Sequence, residues 1–192
     1  SYSAQLLTSF LLVSKWAGFE ISAKDMISES VRLISAKAEI NEKLKIISLT
    51  DQIVFPGRGF SYPHAREAAL KIQETCKLPI QGLPTSDYLH GPISALSAKS
   101  QVFLLTPMHA PIELIEPAVT KIRSITPRVI WLGSGGFPLV SEIEVKGANC
   151  VDEIASCIVD SILIQYLTLD LALAAGLNPD APEGLSKITK TI

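Results

Sequence analysis

The chain has 192 residues, of which 47% are apolar and 19% are charged, and its net charge at pH 7 is −2. This composition excludes a disordered chain and offers no basic surface for nucleic acid or for a membrane. The charged fraction is below the ~25% usual in globular domains, so either the core is large or part of the surface is normally covered. Three cysteines without a C-x-x-C pair favour a reducing, cytoplasmic setting and give no support for zinc.

The first fifty residues carry a helical pattern and no strand signal. Apolar residues recur at helical spacing from Leu6 to Trp16, where we assign Trp16 to the core, and Gly18 ends the pattern. A second apolar stripe behind the N-cap Ser22 comprises Met26, Ile27, Val31, Ile34 and Ala38. We therefore predict a helical arm over residues 1–50. Because the chain has no initiator Met and starts almost at once in this pattern, we expect it to be cut from a longer protein.

Short apolar runs alternate with helical patterns in the rest of the chain. The runs are residues 53–55, 80–83, 102–105, 129–132 and 143–145, and the helical patterns are residues 61–76, 111–125 and 151–175. This alternation predicts an α/β fold with a flavodoxin-like, doubly wound parallel sheet over residues 51–178, followed by a polar tail over residues 179–192. Asp160, Gln165 and Asp170 interrupt the most hydrophobic stretch, which favours a buried helix over a membrane span.

The pattern over residues 61–76 places charged residues on one side of a helix. Its apolar face comprises Ala65, Ala68, Ala69, Ile72 and Cys76. Glu67, Lys71 and Glu74 fall together on the opposite face. One interpretation is a solvated face with a Glu67-to-Lys71 ion pair, and the other is a pair of carboxylates and an ammonium aimed at a ligand for proton transfer. The spacing alone leaves both open.

Two further segments are candidates for a site. The turn of residues 56–61 joins a strand to a helix and could offer backbone N–H groups to a phosphate, but its two glycines are also what a tight turn requires. His90 lies in a turn behind residues 85–88, where it is either an acid or base or an exposed loop residue. We expect His64 and His109 to be structural or exposed. The chain has no G-x-S-x-G nucleophile motif.

Three strings occur in an order that resembles a known family. They are GRGFSYPHAREAALKIQETC, PTSDYLHGPISAL and GLNPDAPEGLSKITKT. Together with the helical arm, they resemble the second half of a tandem sugar isomerase (SIS) protein. This family includes the isomerase part of glucosamine-6-phosphate synthase and the SIS-type glucosamine-6-phosphate deaminases. The resemblance implies a SIS domain that needs neither cofactor nor metal, with a missing first SIS half and a homodimer mate as partners.

The resemblance also implies roles for the matching residues. Glu74 matches the glutamate that moves a proton between C1 and C2 of the open-chain sugar phosphate, and His90 matches the histidine of ring opening, which reaches the site of a neighbouring subunit. Lys187 matches the tail lysine that closes over the sugar. Glu67 and Lys71 match substrate-binding residues. The phosphate-binding loop of the family belongs to the first SIS half, so we do not assign the substrate phosphate to residues 57–61.

One departure from the synthase pattern favours the deaminase branch. The segment before the His-Gly-Pro motif carries Ser86 and Asp87 where synthases usually have Gly-Glu. The expected function is therefore amino-sugar-phosphate deaminase chemistry of the aldose–ketose isomerase type. The isomerase domain of glutamine–fructose-6-phosphate aminotransferase and a non-catalytic sugar-phosphate-binding module remain alternatives. We expect the 192-residue chain alone to be inactive or nearly so.

Overall fold

The computed structural model describes residues 1–45, 47, 52–135 and 143–185, which form an α/β fold. The helices are α1 (Tyr2–Ala17), α2 (Ala23–Ser35), α3 (Lys37–Leu44), α4 (Tyr62–Cys76), α5 (Thr85–Leu89), α6 (Glu116–Arg123) and α7 (Glu153–Ala174). The strands are β1 (Ile53–Gly57), β2 (Gly82–Pro84), β3 (Gln101–Leu104), β4 (Val129–Gly133) and β5 (Ile143–Lys146). Three-residue and four-residue 3-10 turns lie at 59–61, 92–95 and 112–114.

The five described strands form one parallel sheet in the order β2-β1-β3-β4-β5. The order reverses between β1 and β3, as in flavodoxin-like folds. The register pairs Phe55 with Gly82, Val54 with Val102 and Val102 with Val129. Because helices cover both faces, the inner strands β1, β3 and β4 are almost entirely buried, whereas the edge strand β5 alternates apolar and charged residues. The predicted fold class is confirmed.

The sheet separates two apolar cores. On one face, α4, α7 and the N-terminal helices cover a core in which the Phe55 and Phe103 rings stack with centroids 5.0 Å apart. On the other face, α5 and α6 cover a smaller core around Trp131 and Ile122. The α4 and α5 segments, which carry the site candidates, therefore lie on opposite faces of the sheet.

The N-terminal helices α1, α2 and α3 pack against α7. Phe10, Met26 and Leu33 are buried there and belong to the same core as the sheet. The predicted core position of Trp16 is wrong in this chain, because its side chain is 88% exposed at the end of α1. Most of the second predicted apolar stripe is also exposed. Helix α2 contacts α7 through Met26, which belongs to the stripe, and through Leu33, which lies two turns further along and does not. The exposed apolar side chains of the stripe are Ile27, Val31 and Ile34.

Helix α7 is the central element of the larger core. Among the described residues it is the one helix long and apolar enough to cross a membrane, with 61% of its most apolar window buried inside the protein. Asp160, at 4% exposure, lies within this helix and is bonded to backbone N–H groups of the strand-end loops. A polar group satisfied in this way is typical of the core helix of an α/β domain, as the interrupted sequence predicts.

Candidate functional site

Helix α4 connects β1 to β2, which is an edge strand of the sheet, and carries three of the predicted site residues. Pro63 lies in its first turn, where its missing N–H costs no helical hydrogen bond, and Lys77 ends the helix in the left-handed region with a φ of 57°. The residues of the predicted inner face are all buried: Ala65, Ala68, Ala69, Ile72 and Cys76. The small alanines let α4 approach the sheet closely. The outer face is thereby fixed in orientation.

The outer face brings Glu67, Lys71 and Glu74 onto one side of α4. Lys71 Nζ lies 2.5 Å from Glu74 Oε2, with the two side chains 40% and 32% exposed. The Glu67-to-Lys71 ion pair of the first interpretation is not the one observed, because among the described residues Lys71 is paired with the carboxylate three residues later. Two of the three charged residues are thus already paired with each other.

Glu67 lies in a different environment from Glu74. Burial raises the pKa of Glu67, while the Lys71 ammonium lowers it and the Glu74 carboxylate raises it again. Burial, followed by the Glu67 carboxylate, raises the pKa of Tyr2 on α1. Glu67 and Tyr2 both line a cleft of about 600 Å³ between α1, α4 and β2. A carboxyl group whose pKa is raised by burial is a candidate for proton exchange with a ligand.

The structure places His90 away from this triad. The residues before it form the short helix α5, which was not predicted, behind the N-cap residue Pro84. His90 is the exposed C-cap of α5 and lies in a turn, as predicted, with its N–H donated to Asp87 O at 3.1 Å. His90 follows the carboxyl end of β2 on the α5 side of the sheet. Glu74 lies near the far end of α4, about 18 Å along its axis from Tyr62.

Lys187 lies outside the described residues. Of the five predicted site residues, the structure therefore assembles Glu67, Lys71 and Glu74, and it does not bring His90 to them. The polar tail leads back toward α4, since Lys77 at its end is paired with Glu183.

His64 has a structural role, as the sequence analysis expected. Its Nε2 bonds the backbone carbonyl of Cys157, and its Nδ1 lies 3.0 Å from the Tyr2 hydroxyl. Because a carbonyl only accepts, Nε2 carries the proton and Nδ1 accepts from Tyr2. Burial lowers the pKa of His64 to about 4. His64 is therefore neutral, and its two hydrogen bonds connect α4 to α1 and α7.

Asp160 is a residue whose role the sequence analysis missed. Its Oδ2 accepts from Ser134 N at 2.5 Å and its Oδ1 from Ala148 N at 2.7 Å, so that it joins the loops after β4 and β5. Burial raises its pKa to about 7 although both hydrogen bonds lower it. The available signal was an aspartate in the middle of an apolar helix together with Gly133 and Gly147, since a Cβ at Gly147 would lie 2.1 Å from Asp160 Oδ1.

The described residues contain no group of three or more His, Cys, Asp or Glu side chains that could hold a metal ion. Cys76, Cys150 and Cys157 are all buried and unpaired. Burial is the first cause that raises the pKa of each thiol, so none of them is a reactive thiolate. The chemistry offered by the α4 face is that of carboxylates and an ammonium group.

Comparison with known proteins shows what this chain is similar to. No protein-family model matches the chain. A glutamine–fructose-6-phosphate aminotransferase (isomerizing) of Pyrococcus horikoshii is 29% identical over an alignment of 196 residues, which covers 97% of this chain and 33% of that protein. The chain spans about a quarter to a third of the length of the curated relatives it matches.

Two solved structures share the fold. The glucosamine-6-phosphate deaminase of Thermotoga maritima matches 97% of this chain and 55% of its own, with a TM-score of 0.74 and 22% identity. The C-terminal domain of glucosamine-fructose-6-phosphate aminotransferase of Francisella tularensis matches 81% of this chain and 45% of its own, with a TM-score of 0.68 and 18% identity.

The parallel sheet and its helices have the SIS fold of phosphosugar isomerases. More particularly, the chain matches the C-terminal half of proteins in the glucosamine-6-phosphate synthase and deaminase group, as the three sequence strings predicted.

Proposed function

We propose that this chain is the C-terminal half of an aldose–ketose isomerase that acts on an amino sugar phosphate. The observation that carries the proposal is the α4 face, where Glu67, Lys71 and Glu74 lie together on a rigid helix whose other side is buried. Isomerisation moves one proton between adjacent carbons through an enediol, and a single carboxylate can serve both carbons. The curated relatives support the same chemistry, because their names include the word isomerizing.

In this proposal Glu74 is the base and its neighbours set its environment. The Lys71 ammonium, 2.5 Å from Glu74, holds the carboxylate in place and supplies positive charge for the developing enediolate oxygen. Glu67, whose pKa is raised by burial, orients the sugar by hydrogen bonding. His90 belongs to the site of a neighbouring subunit, and Lys187 closes over the sugar. The first SIS half supplies the phosphate site.

The decisive experiment is Glu74→Gln in the full-length protein. We expect turnover to fall by about 10²–10⁴-fold, the usual contribution of a general base, while substrate still binds. A matched control is Glu42→Gln, since Glu42 forms the same kind of i,i+3 ion pair with Lys45 on the exposed surface of α3. Unchanged turnover in Glu74→Gln would contradict the proposal. The third alternative, a SIS module that binds sugar phosphate without converting it, predicts binding without turnover in the unaltered protein as well.

Deaminase activity is the first candidate reaction. The Ser86-Asp87 sequence before His90 favours it, and the deaminase structure matches nearly the whole chain. The synthase reaction is the second candidate, because the curated relatives are aminotransferases. Incubation of the full-length protein with glucosamine 6-phosphate separates the two. Release of ammonia supports the deaminase, whereas formation of the amino sugar only with glutamine supports the synthase.

We further propose that the working protein is a cytoplasmic homodimer in which this chain joins a first SIS half. The relatives support a larger protein, since the chain covers about a third of their length. The domain division into an arm (residues 1–50), a SIS domain (51–178) and a tail (179–192) is part of this proposal. Mass photometry of the full-length protein tests the dimer. Turnover by the 192-residue chain alone would contradict the need for the first half.

A further inference from the structure

The cleft between α1, α4 and β2 has a chain of hydrogen bonds in its wall. The Tyr2 hydroxyl on α1 lies 3.0 Å from His64 Nδ1 on α4, and His64 Nε2 bonds the backbone carbonyl of Cys157 on α7. His64 is 3% exposed, whereas Tyr2 is partly exposed and lines the cleft. The chain of hydrogen bonds therefore runs from the interior of the protein to the surface of the cleft.

The buried end of this chain fixes the direction of its hydrogen bonds. A backbone carbonyl only accepts, so Nε2 of His64 carries the ring proton and Nδ1 is left as an acceptor. The Tyr2 hydroxyl must then donate its proton to Nδ1. Burial lowers the pKa of His64 to about 4, so the ring stays neutral and keeps this arrangement near neutral pH. The Tyr2 oxygen is thereby left with lone pairs, which can accept a hydrogen bond but cannot donate one.

Tyr2 is held in place by its surroundings. Its ring meets the His64 ring edge to face, with centroids 5.7 Å apart and planes inclined at 71°. The next residue, Ser3, lies 2.8 Å from the Ser161 hydroxyl and accepts from Gln165 Nε2 at 3.0 Å, which ties the start of α1 to α7. A group that is fixed in this way loses little conformational entropy when it binds a ligand.

A second acceptor, the Glu67 carboxylate, lies close to the Tyr2 oxygen. Glu67 follows His64 by three residues on α4, a spacing that places both side chains on one side of the helix. It lines the same cleft as Tyr2, and burial, followed by the Glu67 carboxylate, raises the pKa of Tyr2. Among the described residues, neither the Tyr2 oxygen nor the Glu67 carboxylate receives a hydrogen bond, since Lys71 bonds Glu74.

Two acceptors in one cleft are complementary to a hydrogen-bond donor. The lone pairs of the Tyr2 oxygen and the negative charge of the Glu67 carboxylate repel each other unless a donor lies between them. A tyrosine normally relieves such a contact by turning its own proton toward the carboxylate, but the proton of Tyr2 is donated to His64. An O–H or N–H group of a ligand therefore fits between Tyr2 and Glu67, and a second acidic or carbonyl group does not.

We propose that Tyr2 is a substrate-binding residue, whose oxygen accepts a hydrogen bond from a hydroxyl or amino group of the sugar phosphate beside Glu67. His64 is a positioning residue that acts through Tyr2. This inference rests on the proposed function, because the donor group belongs to the proposed substrate. It extends that function by two residues, since Tyr2 was not among the predicted site residues and His64 was expected to be structural or exposed.

The test is a calorimetric titration of the full-length protein with glucosamine 6-phosphate. All samples carry Glu74→Gln, so that the ligand is bound and not consumed. Tyr2→Phe removes only the hydroxyl and should weaken binding by about 2–10-fold, the usual effect of losing one hydrogen bond. Fructose 6-phosphate, which has hydroxyl groups and no amine, identifies the donor. An equal loss with both ligands assigns a hydroxyl group, and a loss confined to glucosamine 6-phosphate assigns the amino group.

Two substitutions of His64 test its positioning role. A glutamine amide can donate to the Cys157 carbonyl and accept from Tyr2, as the imidazole does, so His64→Gln should bind the ligand as the unaltered residue does. Leucine can do neither and releases the Tyr2 proton, so His64→Leu should weaken binding about as much as Tyr2→Phe. Because His64 acts through the Tyr2 hydroxyl, adding His64→Leu to Tyr2→Phe should cause no further loss. A purely structural role would give additive losses.

Tyr166→Phe is the matched control, because Tyr166 lies on α7 outside the cleft and its ring keeps its contact with Lys37. We expect this variant to bind as the parent protein does. The inference is overturned if Tyr2→Phe binds both sugar phosphates unchanged, if Tyr166→Phe weakens binding equally, or if neither ligand binds the parent protein. Full turnover in Glu74→Gln, together with weaker binding in Tyr2→Phe, would instead contradict the proposed base and support this role of Tyr2.

Discussion

Lys71 bonds Glu74 and not Glu67, although both carboxylates are neighbours of the ammonium on α4. The Nζ–Oε2 distance to Glu74 is 2.5 Å, and the pair is partly exposed. Such surface pairs contribute about 0–1 kcal/mol to stability. The ion pair therefore contributes little to the stability of the fold. In our proposal its role is to hold the Glu74 carboxylate in place and to leave the Glu67 carboxylate available to the substrate.

Lys71→Met should consequently separate stability from activity. We expect the free energy of unfolding to change by no more than about 1 kcal/mol, because the pair is exposed to solvent. Turnover of the full-length protein should fall at least tenfold, because Glu74 loses its fixed position and the enediolate loses a positive charge. Chemical denaturation and initial-rate measurements on the same preparation check the two expectations.

Lys45→Met is the control for this pair, because Lys45 is bonded to Glu42 at the same i,i+3 spacing on α3. It should leave both stability and turnover nearly unchanged. If the two lysine variants lose turnover equally, Lys71 has no special role on α4.

His64 and Asp160 give stability opposite pH dependences. The pKa of His64 is lowered to about 4, so the unfolded chain binds the extra proton and stability rises with pH from about 4 to 6.5. The pKa of Asp160 is raised to about 7 from 3.8, so the folded chain binds the extra proton and stability falls with rising pH across that window. Between about pH 4 and 6.5, folding in effect exchanges a proton on the histidine for one on the aspartate.

We expect these two contributions to cancel in the unaltered chain between pH 4.5 and 6.5. Asp160→Asn should leave the histidine slope, a rise of up to about 1.4 kcal/mol per pH unit, on top of a lower overall stability. His64→Gln should leave a fall of similar size. Urea unfolding at several pH values gives the slopes. Equal slopes in the two variants would show that His64 and Asp160 do not titrate as described.

Gly147→Ala should be one of the most damaging single-methyl additions in the chain. Its Cβ would lie 2.1 Å from Asp160 Oδ1 and 2.4 Å from the carbonyl carbon of Gly133, and a backbone atom cannot move aside. Overpacking of this kind costs about 1–3 kcal/mol or more. Thermal unfolding measures the loss.

Gly91→Ala is its counterpart, because no atom lies within 4 Å of a Cβ there and its φ of −168° is outside the left-handed region that favours glycine. We expect a change in melting temperature close to zero. A drop as large as that of Gly147→Ala would mean that both variants act through chain flexibility and not through space.

The sequence predicted the fold well because its strongest signals are local. Apolar runs separated by helical patterns gave the strands near their observed places, and the buried face of α4 followed from its period. The short helix α5 escaped because five residues carry too little periodicity. The exposure of Trp16 also escaped, because an apolar pattern shows which face is hydrophobic and not whether this chain covers it.

The site was predictable only in part for a related reason. The grouping of Glu67, Lys71 and Glu74 follows from 3.6 residues per turn. Which carboxylate Lys71 selects is decided by side-chain positions, for which both spacings are equally allowed. Asp160 could not be placed because its partners are backbone N–H groups of loops 12 and 26 residues away.

Trp16→Ser should have little effect on the chain by itself. The side chain is 88% exposed, and such surface substitutions usually change stability by less than about 0.5 kcal/mol. In contrast, Phe10→Ala on the same helix removes a buried ring and should cost about 3–5 kcal/mol. Denaturant unfolding of the two variants tests the contrast.

The same Trp16→Ser variant tests what covers this helix. If the first SIS half packs on it, binding of that half, produced separately, should weaken by about tenfold or more, as for a buried aromatic anchor. Unchanged affinity would place the first half on another surface.

The sheet between Glu74 and His90 has a genetic consequence. One copy of the chain presents the glutamate on the α4 side and the histidine beyond β2 on the α5 side. For a reaction that needs both residues, a substitution of one can therefore complement a substitution of the other. Two inactive variants, one altered at each position, would share a composite site when mixed in one oligomer. An allele that lacks the glutamate would then be complemented by an allele that lacks the histidine.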